Sequence, residues 1–217
     1  MQTSRLVLAS LCAALVLASV GCRTTPGAEK IDVVSGASLA GEHSPVITGE
    51  VPMVTSGIRV LVVYFSQGNS TKRVAEDIAA LFGADIELIL EKKQRKGGFF
   101  GIMGAGAASS MSRATPIEPP VRDPSAYEVV VVCTPIWAWH LSPPMRSWLR
   151  LNKGKLPQLT SYVTVSHDTD PAKVVAAMAM ESGRQPIAFA GFADRDFEDG
   201  NRARYLEKIG SVVDPLR

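Results

Sequence analysis

The sequence predicts an α/β domain: a doubly wound, five-stranded parallel sheet with helices on both faces. Three observations lead there. Five short apolar runs rich in Val, Ile, Phe and Tyr recur between residues 58 and 192, and most are separated by stretches with helical spacing. One run, YEVVVVC at 127–133, is apolar throughout, as expected of a central parallel strand buried on both faces. Helices between successive strands imply right-handed crossovers, which bring each new strand back parallel to the last.

The 217 residues allow one domain plus extensions. The composition is globular, with 46% hydrophobic and 20% charged residues. The formal charge of +2 falls by one if the segment holding Arg5 is removed. No basic stripe is visible, which argues against a nucleic-acid partner.

Residues 1–22 read as a targeting segment. Arg5 precedes an apolar run over 6–20, a signal-peptide core too short for a membrane span. The run ends in Ser19-Val20-Gly21-Cys22, which resembles a bacterial lipobox with Ser where Leu is usual. Cys22 is then the lipidation site, and the protein an exported, membrane-anchored lipoprotein. Ordinary secretion and an uncleaved anchor are the other readings. The lone Arg favours export of an unfolded chain, so a cofactor would be acquired outside the cytoplasm. Cys12 lies within the signal, which leaves Cys133 without an intrachain partner. Residues 23–56, rich in Gly, Pro, Ser and Thr, read as a flexible tether of roughly 30 Å. His43 stands alone there, with no second ligand at metal-site spacing, so no metal is expected.

The domain then occupies 57–217. The first strand is expected at 58–65, followed by a polar loop at 66–71 and a helix whose inner face carries Val74, Ile78, Leu81 and Phe82. Gly83 ends that helix. Amide groups at a helix start, with the hydroxyls of Ser66, Ser70 and Thr71, make a natural seat for a phosphate. Gly68 and Asn69 tolerate left-handed backbone angles. Neither a G-x-x-x-x-G-K-[ST] nor a G-x-G-x-x-G motif is present, which argues against nucleotide-triphosphate and dinucleotide loops. The alternative is a plain strand-to-helix turn that binds nothing.

The second strand, at 84–90, alternates Ile86, Leu88 and Leu90 with Asp85 and Glu87, as on an edge strand with one wet face. A long connection spans 91–126, with a short helix around 101–111. Its Phe99, Phe100, Ile102 and Met103 either pack on the domain or touch a membrane. After the strand at 127–133, Ser142 can cap a helix opened by Pro143 and Pro144, with Met145, Trp148 and Leu149 inward. A fourth strand follows at 161–166. Asp170 and Pro171 open a helix to residue 182, which Gly183 closes. The last strand is expected at 186–192. A closing helix at 202–213 turns Tyr205, Leu206, Ile209 and Val212 inward.

Two stretches carry a family resemblance. YFSQGNSTKRVAE is similar to the phosphate loop of flavodoxin-like proteins, usually close to YxSxTGNTxxVA. Ser66 and Thr71 match; Gly68, Asn69 and Ser70 stand where Thr, Gly and Asn are usual. CTPIWAW followed by PPMRSWL looks like the family's second loop, which wraps the flavin ring. The resemblance implies the strand order 2-1-3-4-5 over 58–213, with FMN between the ends of the first and third strands. It implies a phosphate site at Ser66, Gly68, Asn69, Ser70 and Thr71, and a ring site at Thr134, Pro135, Ile136, Trp137 and Ala138. The loop after the fourth strand, often Gly-rich in the family, here offers Ser166, His167 and Asp168. His167 meets the flavin edge or a substrate oxygen, donates a proton, or is only a polar loop residue. Cys133 reads as a small buried residue and not a redox thiol. Trp139 and His140 read as loop packing or rim.

The implied function is flavin-mediated electron or hydride transfer to a quinone-like or protein acceptor, with no catalytic residue assigned. The missing acidic bias disfavours a soluble electron carrier. The export signal disfavours a nicotinamide-using enzyme, because those donors are scarce outside the cytoplasm. A redox enzyme is preferred over a carrier. A flavin-free binding module on the same fold is the third reading.

Overall fold

A computed structural model describes residues 57–92, 113–168 and 170–216. The targeting segment, the tether, the expected helix at 101–111 and Thr169 lie outside the described residues.

Five parallel strands form the sheet: β1 (Val60–Tyr64), β2 (Asp85–Leu88), β3 (Val129–Trp137), β5 (Leu159–Ser166) and β6 (Ala188–Ala193). They stand in the order β2-β1-β3-β5-β6, the flavodoxin-like arrangement. A two-residue strand, β4 (His140–Leu141), adds to β3 as an antiparallel hairpin that the sequence did not announce.

Strand alternation divides the core into two layers. Val60, Val62, Val129, Val131 and Cys133 point to one face, covered by α1 (Ser70–Phe82) and α4 (Arg202–Val213). Leu61, Val63, Val130, Val132 and Tyr162 point to the other, covered by α2 (Pro143–Leu151) and α3 (Ala172–Ser182). The expected inner residues of α1 and α2 are all buried. Leu206 of α4 is instead 37% exposed, outside the stripe formed by Tyr205, Ile209 and Val212. Gly83 and Gly183 end their helices with φ of 59° and 71°, the left-handed region where glycine carries no Cβ penalty.

Strand β2 inverts the expected pattern. Glu87 is 7% exposed, whereas Leu88 and Leu90 are 42% and 53% exposed. The reason lies in the chain that returns after residue 112. Its Val121 and Arg122 amides donate to the Glu87 carboxylate at 2.7 and 3.1 Å. Glu118 N also donates to Leu90 O at 2.8 Å. A carboxylate that accepts two backbone hydrogen bonds can be buried at an edge, and it guards that edge against foreign strands.

Other boundaries move as well, and one expected cap does not form. Ile58 is outside β1 and 41% exposed. Strand β3 runs on through Trp137, so Thr134, Pro135, Ile136 and Trp137 belong to the strand's end and not to a loop. Ser142 occupies the start of α2 but makes no side-chain cap; its hydroxyl shares a buried 2.8 Å hydrogen bond with Thr134 Oγ1.

Candidate functional site

Parallel strands all end on the same side of the sheet, and crossovers that leave on opposite faces open a crevice there. In this fold the crevice lies where β1 and β3 adjoin. An open cleft of about 200 Å³ occupies it, at the carboxyl ends of β1, β3, β5 and β6. This is below the roughly 300–1,000 Å³ of pockets that enclose a drug-sized ligand, so a ligand here rests against a wall.

The first wall is the β1–α1 connection. Ser66, Gln67, Gly68, Ser70 and Thr71 line the cleft. Helix α1 begins at Ser70, so Ser70 and Thr71 sit in its first turn. Asn69 is the cap residue, with φ −99° and no side-chain cap hydrogen bond, and it does not line the cleft. Neither Gly68 nor Asn69 uses the left-handed angles that sequence reasoning allowed them. Ser66 Oγ donates to Gly68 O at 2.6 Å, which folds the loop back on itself. The first turn of α1 carries no acidic residue, so the positive end of the helix dipole is uncompensated there.

The second wall is the end of β3. Pro135, Ile136 and Trp137 line the cleft. Phe65 meets Trp137 edge-on, with ring centroids 5.3 Å apart and planes at 80°. Such a contact is worth about 0.5–1.5 kcal/mol beyond area burial and holds the indole in place. Thr134 is fully buried and turned toward Ser142. Ala138 and Trp139 form the hairpin turn, with φ of 46° and 63°. One of the two favoured two-residue hairpin turns, type I′, has positive φ at both positions, normally supplied by Asn or Gly. Here Ala and Trp adopt it, at a cost of about 1–2 kcal/mol per residue. Neither lines the cleft, and Trp139 stands out into solvent at the rim.

The third wall joins the ends of β5 and β6. Val165, Ser166, His167 and Asp194 line it. His167 Nδ1 lies 2.7 Å from Asp194 Oδ2. A carboxylate has no proton to give, so Nδ1 carries it. The hydrogen bond to Asp194 first, then the Asp194 charge, raises the His167 pKa above the ordinary histidine value. Asp168 points elsewhere, 3.1 Å from Arg195 Nη1. His140, beyond the rim on β4, is shifted down by burial and by the charges of Lys173 and Arg146.

Nine expected residues therefore meet in the cleft, while Asn69, Thr134, Ala138 and Asp168 stand outside it. Gln67, Val165 and Asp194 were missed. Asp194 had a readable signal, because it directly follows the last strand and ligands gather at carboxyl strand ends. Cys133 is fully buried, and burial pushes its thiol pKa far up, which leaves it inert. A larger cavity, about 690 Å³, lies across the β1–α1 loop beside Leu88 and Leu90. It lacks the helix start and the convergent hydroxyls. Among the described residues no cluster of His, Cys, Asp or Glu could hold a metal, and no helix is long and apolar enough to cross a membrane.

The third wall depends on a close approach. A Cβ added at Gly191 of β6 would lie 2.9 Å from Pro171 Cγ, just past the 166–170 loop. Gly191→Val is therefore expected to cost about 1–3 kcal/mol of stability by overpacking. Urea denaturation of the variant checks this.

No protein-family model matches the chain, and no curated protein sequence matches it either. Solved structures do. A flavoprotein of Lactobacillus acidophilus, crystallised in complex with FMN, superposes with a TM-score of 0.55 at 15% identity, covering 64% of this chain and 95% of that one. A Bacteroides uniformis protein provisionally described as a flavoprotein gives a TM-score of 0.51 at 17% identity, covering 70% and 99%. At such identity the likeness establishes the fold. The chain has the flavodoxin-like α/β fold, with its cleft where that fold places ligands.

Proposed function

We propose that this protein holds FMN in the cleft and acts as a flavin-dependent redox protein, tethered to a membrane through a lipid on Cys22. One observation carries the reading. The uncompensated start of α1 with the hydroxyls of Ser70 and Thr71, and the Trp137 wall, converge on one cleft at the switch point of the sheet. The donor set suits a phosphate: the hydroxyls of Ser70 and Thr71 and the first amides of α1, beside Gly68, while Ser66 gives its proton to Gly68 O and holds the loop in shape, and Asn69 stands at the cap position. The apolar wall of Pro135, Ile136 and Trp137 suits a flat ring. Thr134 and Ala138 serve the ring site indirectly, by bracing β3 and turning its hairpin. Ser166 and His167 close the far side, and the Asp168–Arg195 pair steadies that loop. The FMN complex of the Lactobacillus acidophilus neighbour supports the choice of flavin.

The flavin supplies electron or hydride transfer when bound; the chain binds it, orients it and limits its contact with water. The acceptor is a quinone-like molecule or a redox partner protein. The apolar run ending in Cys22 supports the export and anchoring part of the reading.

The test is titration of the full-length protein with FMN and with riboflavin, read by absorbance and tryptophan fluorescence. FMN is expected to bind more tightly by about 1.5–3 kcal/mol, the worth of hydrogen bonds to a charged phosphate. Equal affinity would remove the phosphate from the α1 start. Absence of binding by both would leave a flavin-free binding module. Oxidation of a nicotinamide donor with quinones then separates an enzyme from a carrier.

A further inference from the structure

Among the described residues that line the cleft, His167 and Asp194 are the only ionisable ones. We infer that His167 is the cleft's cationic hydrogen-bond donor toward the reduced, negatively charged form of the flavin ring, and that Asp194 is the residue that positions it. The inference rests on the FMN reading and assigns it a redox-state preference.

The geometry carries it. His167 leaves the end of β5 and Asp194 leaves the end of β6, strands paired to their last residues at Ser166 and Ala193. Asp194 N donates to His167 O at 3.4 Å, and the His167 Nδ1 proton goes to Asp194 Oδ2 at 2.7 Å. The imidazole is thereby tied to a second strand, and its tautomer is set. Nε2 is the remaining nitrogen. It accepts when the ring is neutral and donates when the ring is charged.

The charges around it are few. Asp194 and then Asp168 favour the imidazolium. Asp168 is itself engaged by Arg195 at 3.1 Å. The cleft-lining residues of the β1–α1 loop and of the end of β3 carry no charge. An oxidised flavin ring is neutral. Two electrons and one proton leave it with one negative charge at neutral pH, spread over its pyrimidine edge. A cationic donor then binds the reduced ring better than the oxidised one, and by linkage it raises the reduction potential of the bound flavin.

The sign with pH follows. A raised histidine pKa means that the charge is present at low pH and is lost as pH climbs through the raised value. On the acid side the reduced ring itself takes up a second proton and becomes neutral, so the preference is greatest near neutral pH, where the ring anion and the imidazolium coexist; the fade on the alkaline side follows the histidine. Without the Asp194 charge, the fade moves toward the ordinary histidine value of about 6.5.

The experiment is anaerobic titration of the full-length protein with FMN, oxidised and dithionite-reduced, from about pH 5 to 8, across the range where histidine titrates. Wild type, His167→Gln and Asp194→Asn are compared. Near neutral pH, His167→Gln is expected to reduce the preference for the reduced ligand by about fivefold, the upper range for a charge pair still reached by solvent. Toward the acid end, where the reduced ring is neutral, and toward the alkaline end, where the histidine loses its charge, the two should converge. Asp194→Asn should show a smaller preference near neutral pH and lose it at a lower pH than wild type, a change that a purely structural role would not produce. A preference identical in wild type and His167→Gln at every pH would overturn the role of His167. An unmoved profile in Asp194→Asn would overturn the positioning role. Failure of wild type to bind FMN in either redox state would overturn the flavin reading and the inference with it. In that case, NMR titration of the His167 ring in the ligand-free protein still checks the pair: Asp194→Asn should lower its pKa.

Discussion

Replacing Glu181 by leucine is expected to lower the unfolding free energy by about 3–5 kcal/mol, the cost of leaving a buried charge without its partner. Glu181 stands near the end of α3 and is bound by two arginines of α2. Arg146 Nη1 donates to Oε1, and Arg150 donates to Oε2 through Nε at 2.7 Å. The Arg146 side chain is only 3% exposed, whereas that of Arg150 is 47% exposed. Loss of the carboxylate lets Arg150 swing into water but leaves Arg146 buried on α2 without its partner from α3. Burial alone would raise the Glu181 pKa, but the hydrogen bonds from Arg150 and Arg146 outweigh it and leave it lowered. The pair's contribution is thus present above the ordinary glutamate pKa and is lost as pH falls through the lowered value. The double variant Arg146→Met with Glu181→Leu is expected to regain most of the loss, since apolar residues can replace a buried ion pair at little cost. Denaturant titration of the three proteins measures both effects. A single variant as stable as wild type would show that the ion cluster contributes nothing.

Ser70→Asp is expected to separate fold from ligand. Ser70 is the first residue of α1, where an acidic side chain complements the helix dipole by about 0.3–1 kcal/mol. Thermal stability should therefore hold or rise slightly. The same carboxylate would face the phosphate of FMN across the start of the helix. Loss of a charge-assisted hydrogen bond, at about 1.5–3 kcal/mol, together with repulsion should weaken FMN by roughly a hundredfold. Riboflavin, which lacks the phosphate, should bind as it does to wild type. Parallel titrations with both ligands check this. An equal loss of the two would locate the damage in the ring site or in the fold.

Much of the fold was legible because it is written in local patterns. The apolar run at 127–133 and the helical spacing of Val74, Ile78, Leu81 and Phe82 need only the periods of strand and helix. Gly83 and Gly183 announced helix ends through backbone sterics alone. Strand β2 misled for a physical reason: alternation tells which residues share a face, not which face is covered. The segment that covers Glu87 returns to the sheet more than thirty residues later. Likewise, the run from Thr134 to Trp137 carried its residues clearly but not its extent. The β4 hairpin that prolongs β3 depends on a turn of Ala138 and Trp139, neither of which is a usual turn residue.

The sequence by itself determined the element order, the two motif-bearing connections, and hence the end of the sheet where a site must lie. Those features rest on interactions between near neighbours in the chain, which spacing and residue type reveal. Only the tertiary structure decided that Asp194 meets His167, that Glu181 meets Arg146, and that Thr134 faces Ser142 instead of the cleft. The two ionic partnerships join residues 27 and 35 positions apart, and one residue type has many possible partners at that separation. Which one it meets is set by how the crossovers stack strands and helices, and no local pattern encodes that.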